Sequence, residues 1–499
     1  MNNTNDDLFF INEKAEKLIV FLFISIMFIF MVLNPAHKTF TYDELDWTLK
    51  FVDSGSYSGM IQGLLNYGYN LPLYYSILYL IFQTGTYNEI FYMLPSIIFV
   101  IAGVIGMYFF GKKNLGRTGG LLCFFITVTS GILVSQGGWK VRPYGMLFCF
   151  SVLTLYCYME KLKGETGRNL MRFCIVLLIL MYTHWFGALI AVFYGMADLF
   201  FIARKKLSIR SLVPYVIDAC LFVPWLFIMF KTHINTLSDY WANIPDLNSF
   251  LSVISYLFSR NKLMVVLFLV SCLFSLWIFI KRREVLYGIL FGAVIWVFST
   301  VFIYSRFINP DGSLFVKRYF FVILPHLHVI FAAGIYAAVS FIKKPLYRKC
   351  FISLFIIIFI VNAVFSYNKA LESTVEDENQ YRQTADHIMA DASASGRNTL
   401  ILTSAGREWV NIYLIPETDV IPENMARGTS LDSMMYYMKD GAVSDDETLT
   451  ARELQDYDVI YAFELHSKFK DDIRKVFDSA YEKTGEDESC NLVIYRKKQ

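Results

Sequence analysis

Residues 71–83 read Leu71-Pro-Leu-Tyr-Tyr-Ser-Ile-Leu-Tyr-Leu-Ile-Phe-Gln83, an apolar run of 13 residues. A helix needs roughly 20 residues to cross the hydrocarbon of a bilayer. Whether this short run spans decides the parity of the whole chain, and with it the side that every later loop faces.

Eleven other runs are clear candidates to span. They lie at 18–33, 90–111, 119–136, 144–159, 173–184, 186–203, 211–230, 263–280, 285–304, 319–342 and 350–366. The first has no small-residue cleavage site behind it and reads as a retained span rather than a signal peptide. With 71–83 outside the membrane and the N-terminus in the cytoplasm, 20 Lys and Arg fall on the cytoplasmic side before residue 368, including Lys112, Lys113, Arg117, Lys161, Arg204 and Lys281. The other 10 fall outside. Basic residues accumulate in cytoplasmic loops, so a spanning 71–83 would reverse the bias. The run is therefore expected to be a juxtamembrane or re-entrant segment on the outer side.

Composition agrees. The 499 residues are 56% hydrophobic and only 18% charged, too apolar for an ordinary soluble protein, with a mean hydropathy of +0.44. The net charge of +2 excludes a polybasic nucleic-acid binder. That near-neutrality hides two opposed parts. Residues 1–367 hold 30 basic and 17 acidic residues, and residues 368–499 hold 15 and 26. Of eight cysteines, only Cys490 lies in the hydrophilic C-terminal part, so no internal disulfide is expected there.

Eleven spans from a cytoplasmic start leave the C-terminus outside. The division is thus a membrane domain, 1–367, and an extracytoplasmic domain, 368–499. The latter alternates an expected helix at 377–394, a strand at 399–403, a helix near 407–414, a strand at 459–463, a helix at 468–480 and a strand at 491–495, the pattern of a small α/β domain. Residues 440–453, crowded with Asp, Glu and Thr, read as a solvated loop.

Mid-span ionisable residues are few, notably Asp218, His326 and His328. A transporter would concentrate such groups at mid-membrane and repeat its broken helices in two halves. Polar residues instead crowd the outer ends of the spans: Tyr42, Asp43, Glu44 and Asp46; Lys140, Arg142 and Tyr144; Thr183, His184 and Trp185; Arg306, Lys317 and Arg318. Carboxylates facing cations at one membrane surface suit group transfer from a lipid phosphate. One carboxylate takes a proton from an acceptor hydroxyl while Arg or Lys stabilises the departing phosphate.

Five segments, in order, are Thr41-Tyr-Asp-Glu44, Leu71-Pro-Leu-Tyr-Tyr75, Val141-Arg-Pro-Tyr-Gly145, Tyr182-Thr-His-Trp-Phe-Gly187 and Arg318-Tyr319 ahead of Leu324-Pro325. Together they resemble the GT-C glycosyltransferases, in particular the family 39-like branch that includes the protein O-mannosyltransferases and the lipid A aminoarabinose transferase. The resemblance covers roughly residues 15–345. It implies an α-helical polytopic membrane protein of about 11 transmembrane helices plus outer juxtamembrane helices, bearing a small C-terminal α/β extracytoplasmic domain. It implies a plasma-membrane enzyme that moves a sugar, with inversion, from a polyprenyl-phosphate donor to an extracytoplasmic glycan, lipid or protein. Asp43 would be the catalytic carboxylate and Glu44 its neighbour. Arg142, Lys317 and Arg318 would bind the donor phosphate, and Tyr42, Tyr144 and His184 would contact substrate. A divalent metal stays open, with no ligand set named. The chain departs from relatives in having Tyr69-Asn70-Leu71-Pro72 where many carry His-Pro-Pro or Lys-Pro-Pro. It also lacks an Arg before Leu94-Pro95 and an acidic residue after Arg142-Pro-Tyr.

Each residue also has a plainer reading. Thr41-x-x-Glu44 fits a capping box, which puts Asp43 in a first helical turn, where the helix dipole favours its ionised form. Arg142 could be an interfacial anchor, and His184-Trp185 an interfacial pair. Lys317 and Arg318 sit on the side the charge bias avoids, so orientation does not explain them. His326 and His328, two apart, point to different helix faces and lack a third ligand. The rival class is a flippase or transporter of a lipid-linked sugar, which would share the cationic rim and need no base.

Overall fold

The computed structural model describes residues 12–34, 40–67, 70–85, 88–233, 242, 244–378, 384, 387–388, 390, 399–403, 458–463, 479–487 and 492–498. Helices dominate. α1 (Glu13–Leu33) is followed by α2 (Tyr42–Glu44), which runs through a π-helical turn (Leu45–Leu49) into α3 (Lys50–Val52). Then come α4 (Tyr57–Tyr67), α5 (Pro72–Phe82), α6 (Glu89–Val128), α7 (Tyr144–Lys163), α8 (Gly167–Thr183), α9 (Trp185–Ala203), α10 (Val213–His233), α11 (Leu247–Leu257), α12 (Lys262–Arg282), α13 (Val285–Ile303), α14 (Leu324–Ser340) and α15 (Pro345–Glu378).

Among the described residues, nine helices are long and apolar enough to cross a membrane, which makes this a multi-pass membrane protein. The eleven expected runs map onto them with two adjustments. α6, at 40 residues, is two helices that meet at Gly116, whose φ of 79° belongs to the left-handed region that glycine adopts without penalty. α8, at 17 residues, falls just short of the span length and ends at Thr183. α5 has 11 residues, about 16 Å at 1.5 Å per residue, half of what a crossing requires. Its Tyr74, Tyr75 and Leu78 are buried.

The chain divides into two units. The first comprises Met1–Ala36, Ile61–Leu80 and Ile90–Glu372; the second comprises His37–Met60, Ile81–Glu89 and Ser373–Gln499. At the centre of the first lies α14, which leaves only Tyr336, Ala338 and Ser340 less than buried. It packs on α7, α12 and α13. A Cβ at Gly334 would collide with the Ser271 carbonyl oxygen, and the Ser275 hydroxyl donates to the Ile330 carbonyl at 2.7 Å. Such small-residue contacts replace the hydrophobic effect that lipid does not supply.

Two ionic clusters sit at the helix ends remote from the 142–144 and 183–185 turns. Glu16 of α1, fully buried, meets Arg117, Lys112 and Tyr108 of α6. Lys161 of α7 pairs with Asp198 of α9, both side chains fully buried. Tyr158 donates to Asp198 at 3.0 Å, Lys161 reaches the Tyr215 hydroxyl at 3.2 Å, and the Phe173 ring centroid lies 4.4 Å from the ammonium. The sequence reading counts Lys161 as a loop charge and passes over Asp198, because the partners lie 37 residues apart.

In the second unit, β1 (Thr399–Thr403), β2 (Val459–Phe463), β3 (Tyr481–Asp487) and β4 (Leu492–Lys497) form a sheet in the order β1-β2-β4-β3. β1 and β2 run parallel; the other pairs are antiparallel. The expected strands at 399–403 and 459–463 are present, and the last one begins at Leu492. β3 was not expected. Tyr-Glu-Lys-Thr-Gly-Glu-Asp is nearly all polar, a composition that suits a sheet edge with a bulge at Lys483/Gly485. The expected helices at 377–394, 407–414 and 468–480, the loop at 440–453 and Cys490 lie wholly or mostly outside the described residues.

Candidate active site

A chain of contacts ties four of the five sequence segments together. Pro143, which has no N–H to leave unsatisfied, precedes the first residue of α7, so Arg142 and Tyr144 flank the helix start. Tyr74 of α5 lies 2.6 Å from the Ser96 hydroxyl of α6, and Ser96 reaches the Arg142 carbonyl at 3.4 Å. Ahead of Arg142, a π-helical turn (Leu133–Gly138) leads into buried Trp139, whose indole donates to the Met31 carbonyl of α1 at 3.0 Å. Arg142 itself is buried.

His184 occupies the one-residue break between α8 and α9. Its Nδ1 accepts the Phe186 N–H at 3.3 Å and so caps α9. Burial, and then the charges of Arg142 and Arg318, push its pKa down to about 3, which leaves the ring neutral. With Nδ1 an acceptor, the ring proton sits on Nε2. The Tyr144 ring lies 6.1 Å from His184 and 5.8 Å from Phe321, and Tyr319 lies 4.8 Å from His184.

Arg318, Tyr319 and Phe321 belong to a 3-10 turn (Lys317–Ile323) that opens α14 and packs on α7, α9 and α11. Arg318 is half-buried; Lys317, one position earlier, is exposed. Tyr256 of α11 joins the same group. Burial and neighbouring Tyr144 raise its pKa, while the charges of Arg318 and Arg260 oppose the rise. Sequence reasoning missed Tyr256 and Arg260, because nothing in the segment between the runs at 211–230 and 263–280 singled them out. The structure thus gathers Arg142, Tyr144, His184 and Arg318 in one cluster of the first unit, with Tyr256 added. Two guanidinium groups, one of them buried, beside phenols and a neutral imidazole N–H form a site able to hold a phosphate and to donate to sugar hydroxyls.

The carboxylate segment lies in the second unit. Glu44 is buried, and its Oε2 accepts the Thr41 N–H at 2.9 Å and the Thr41 hydroxyl at 2.8 Å, the reach-back that the spacing predicts, while the Glu44 N–H donates to the Thr41 carbonyl at 2.9 Å rather than to its hydroxyl. Asp43 is half-buried in the first turn, just after Tyr42. Among the described residues, no group of three or more His, Cys, Asp or Glu is placed to hold a metal ion. His326 instead meets the Tyr194 hydroxyl at 3.0 Å, and His328 the Thr127 hydroxyl at 3.1 Å.

No protein-family model matches the chain, and no curated protein matches it by sequence. Solved structures do match. The chain is similar to the crystal structure of ArnT from Cupriavidus metallidurans in the apo state, with a TM-score of 0.60 over 96% of this chain and 98% of that one, at 10% identity. It is similar also to the same protein bound to undecaprenyl phosphate, with a TM-score of 0.53 over 95% and 97%, again at 10% identity. Both matches run nearly end to end, so the chain has the fold of ArnT.

Proposed function

We propose that this protein is an inverting membrane glycosyltransferase that moves a sugar from a polyprenyl-phosphate donor to an acceptor outside the cytoplasm. The observation that carries the reading is the cluster of Arg142 and Arg318 around neutral His184, in a chain with the fold of a protein crystallised with undecaprenyl phosphate. In this reading residues 1–367 form the transferase domain and 368–499 an extracytoplasmic α/β domain.

Asp43 takes the proton of an acceptor hydroxyl as that oxygen attacks the anomeric carbon. The bond from that carbon to the phosphate oxygen breaks, and its electrons leave on the polyprenyl phosphate. Arg142 and Arg318 stabilise the departing charge, where pre-aimed cations are worth most. Lys317 adds to the positive field at the donor. Tyr42, Tyr144 and His184 contact the sugar or acceptor, with the His184 Nε2–H as a neutral donor.

The test is turnover in detergent, where no second compartment exists. Purified protein given a polyprenyl-phosphate sugar and an envelope extract is expected to release polyprenyl phosphate and form a glycosylated product. Movement of the lipid-linked sugar across vesicles with no such product overturns the reading and identifies a flippase. Mass spectrometry of envelope glycans and lipids, with and without the gene, identifies the acceptor.

A further inference from the structure

α6 ends at Val128 and leaves backbone groups that no helix satisfies, and side chains from two distant segments take them up. Asn362 of α15, buried, donates from its amide nitrogen to the Thr129 carbonyl at 3.3 Å. Its Oδ1 accepts the Asn261 amide at 2.7 Å and the Ser366 hydroxyl at 3.2 Å. The Ser259 hydroxyl accepts the Ile132 N–H at 2.9 Å, and the Tyr367 hydroxyl donates to the Val128 carbonyl. Residues 128–132 are thus held from one side by α15 and from the other by the turn between α11 and α12.

That turn is strained. Ser259 and Arg260 are consecutive non-glycine residues with φ of 58° and 55°, a conformation that persists only where surrounding contacts impose it. The contacts here are the Ser259 hydroxyl, the Arg260 N–H donating to the Ser255 carbonyl at 2.7 Å, and Asn261, whose Oδ1 caps α12 at the Leu263 N–H (2.9 Å) while its amide reaches Asn362. Both segments joined by these bonds lead to the cluster. Residues 133–138 run directly into Trp139 and Arg142, and Tyr256 lies one turn before Ser259.

We infer that Asn362 and Ser259 are positioning residues for the candidate site: they clamp the strained 259–261 turn to the broken end of α6, so that Tyr256 and Arg260 hold a set position against Tyr144 and Arg318. The inference rests on the transferase reading for its kinetic consequence, and on geometry alone for the clamp.

Two variants test it. Asn362→Leu removes all three bonds of that side chain while keeping its branching and number of heavy atoms. Ser259→Gly removes the bond to Ile132, which leaves that N–H without its acceptor, and relieves the positive-φ strain, two effects on thermal stability of opposite sign. In each, the KM for the polyprenyl-phosphate sugar is expected to rise about tenfold, with acceptor KM within about twofold of wild type. Amide hydrogen exchange in the full-length protein is expected to rise in residues 129–138 and 256–261 and nowhere else. A donor KM that rises while the acceptor KM holds, with exchange confined to those two segments, is a combination that a merely structural role does not produce. Wild-type kinetics and exchange in Ser259→Gly, or exchange rising across the whole bundle in both variants, overturn the clamp. If Asn362→Leu does not fold, Ser259→Gly decides alone. If the wild-type protein transfers no sugar, the transferase reading fails, while the exchange pattern still upholds or overturns the clamp.

Discussion

Glu44 folds back on Thr41, taking both its N–H at 2.9 Å and its hydroxyl at 2.8 Å. The two adjacent carboxylates therefore have different work. Glu44 closes the turn on which Asp43 sits, and in the proposed reaction Asp43 is the base. Asp43→Asn is expected to lower kcat by about 10²–10⁴-fold, the usual worth of a general base, at unchanged Tm. Glu44→Ala should cost about 1 kcal/mol of stability, as losing a helix cap does. A thermal melt and a single-turnover assay on each variant separate the roles; a stable, fully active Asp43→Asn enzyme removes Asp43 from the mechanism.

Arg142 and Arg318 make a second pair to compare. Each charge-assisted hydrogen bond to a phosphate is worth about 1.5–3 kcal/mol, so Arg318→Ala is expected to raise the donor KM by roughly 10- to 100-fold and to leave the acceptor KM alone. Arg142→Lys should not restore function, because a guanidinium fork is not replaced by a point charge. Exposed Lys317 is expected to matter less than either. Donor and acceptor titrations on the purified variants check all three.

His184 sets a pH dependence whose sign follows from its depressed pKa of about 3, against 6.5 when unfolded. The unfolded chain binds a proton below pH 6.5 that the folded site refuses. The contribution of His184 to stability is therefore complete above pH 6.5 and is lost as pH falls from 6.5 toward 3. His184→Gln, which removes the titration, should flatten the fall in Tm over that range, as melts between pH 4 and 8 will register. An unchanged slope would show that the imidazole is not held neutral.

Lys161 and Asp198 test packing rather than chemistry. Removing one partner leaves a buried charge without its mate, so Lys161→Met and Asp198→Leu are each expected to cost about 3–5 kcal/mol. The double variant should recover most of that. Thermal melts in one detergent complete the cycle; a double variant as unstable as the singles would mean that the pair's other contacts, such as Tyr158 and Tyr215, carry the stability.

The membrane-crossing plan was legible because lipid imposes it: the run Leu71–Gln83, 13 residues against the roughly 20 that a crossing needs, stands apart without reference to tertiary structure. The reach-back of Glu44 to Thr41 was equally local. Tyr256 was not, since its place depends on α11 meeting the 3-10 turn at Lys317–Ile323, some sixty residues further along. The Lys161–Asp198 pair was hidden for the same reason. β3 was hidden because a polar edge strand has no apolar face to announce it.

α14 carries one more consequence. Its two histidines and its glycine have protein, not lipid, on every side; α6, α7, α9, α12 and α13 precede it in the chain, and α15, whose Phe359 ring lies 5.6 Å from that of Phe331, follows. As the polypeptide is made, most of the slot stands before this helix emerges, and α15 closes it afterwards. A truncation just before Leu324 would therefore leave a hollow assembly with an open seam.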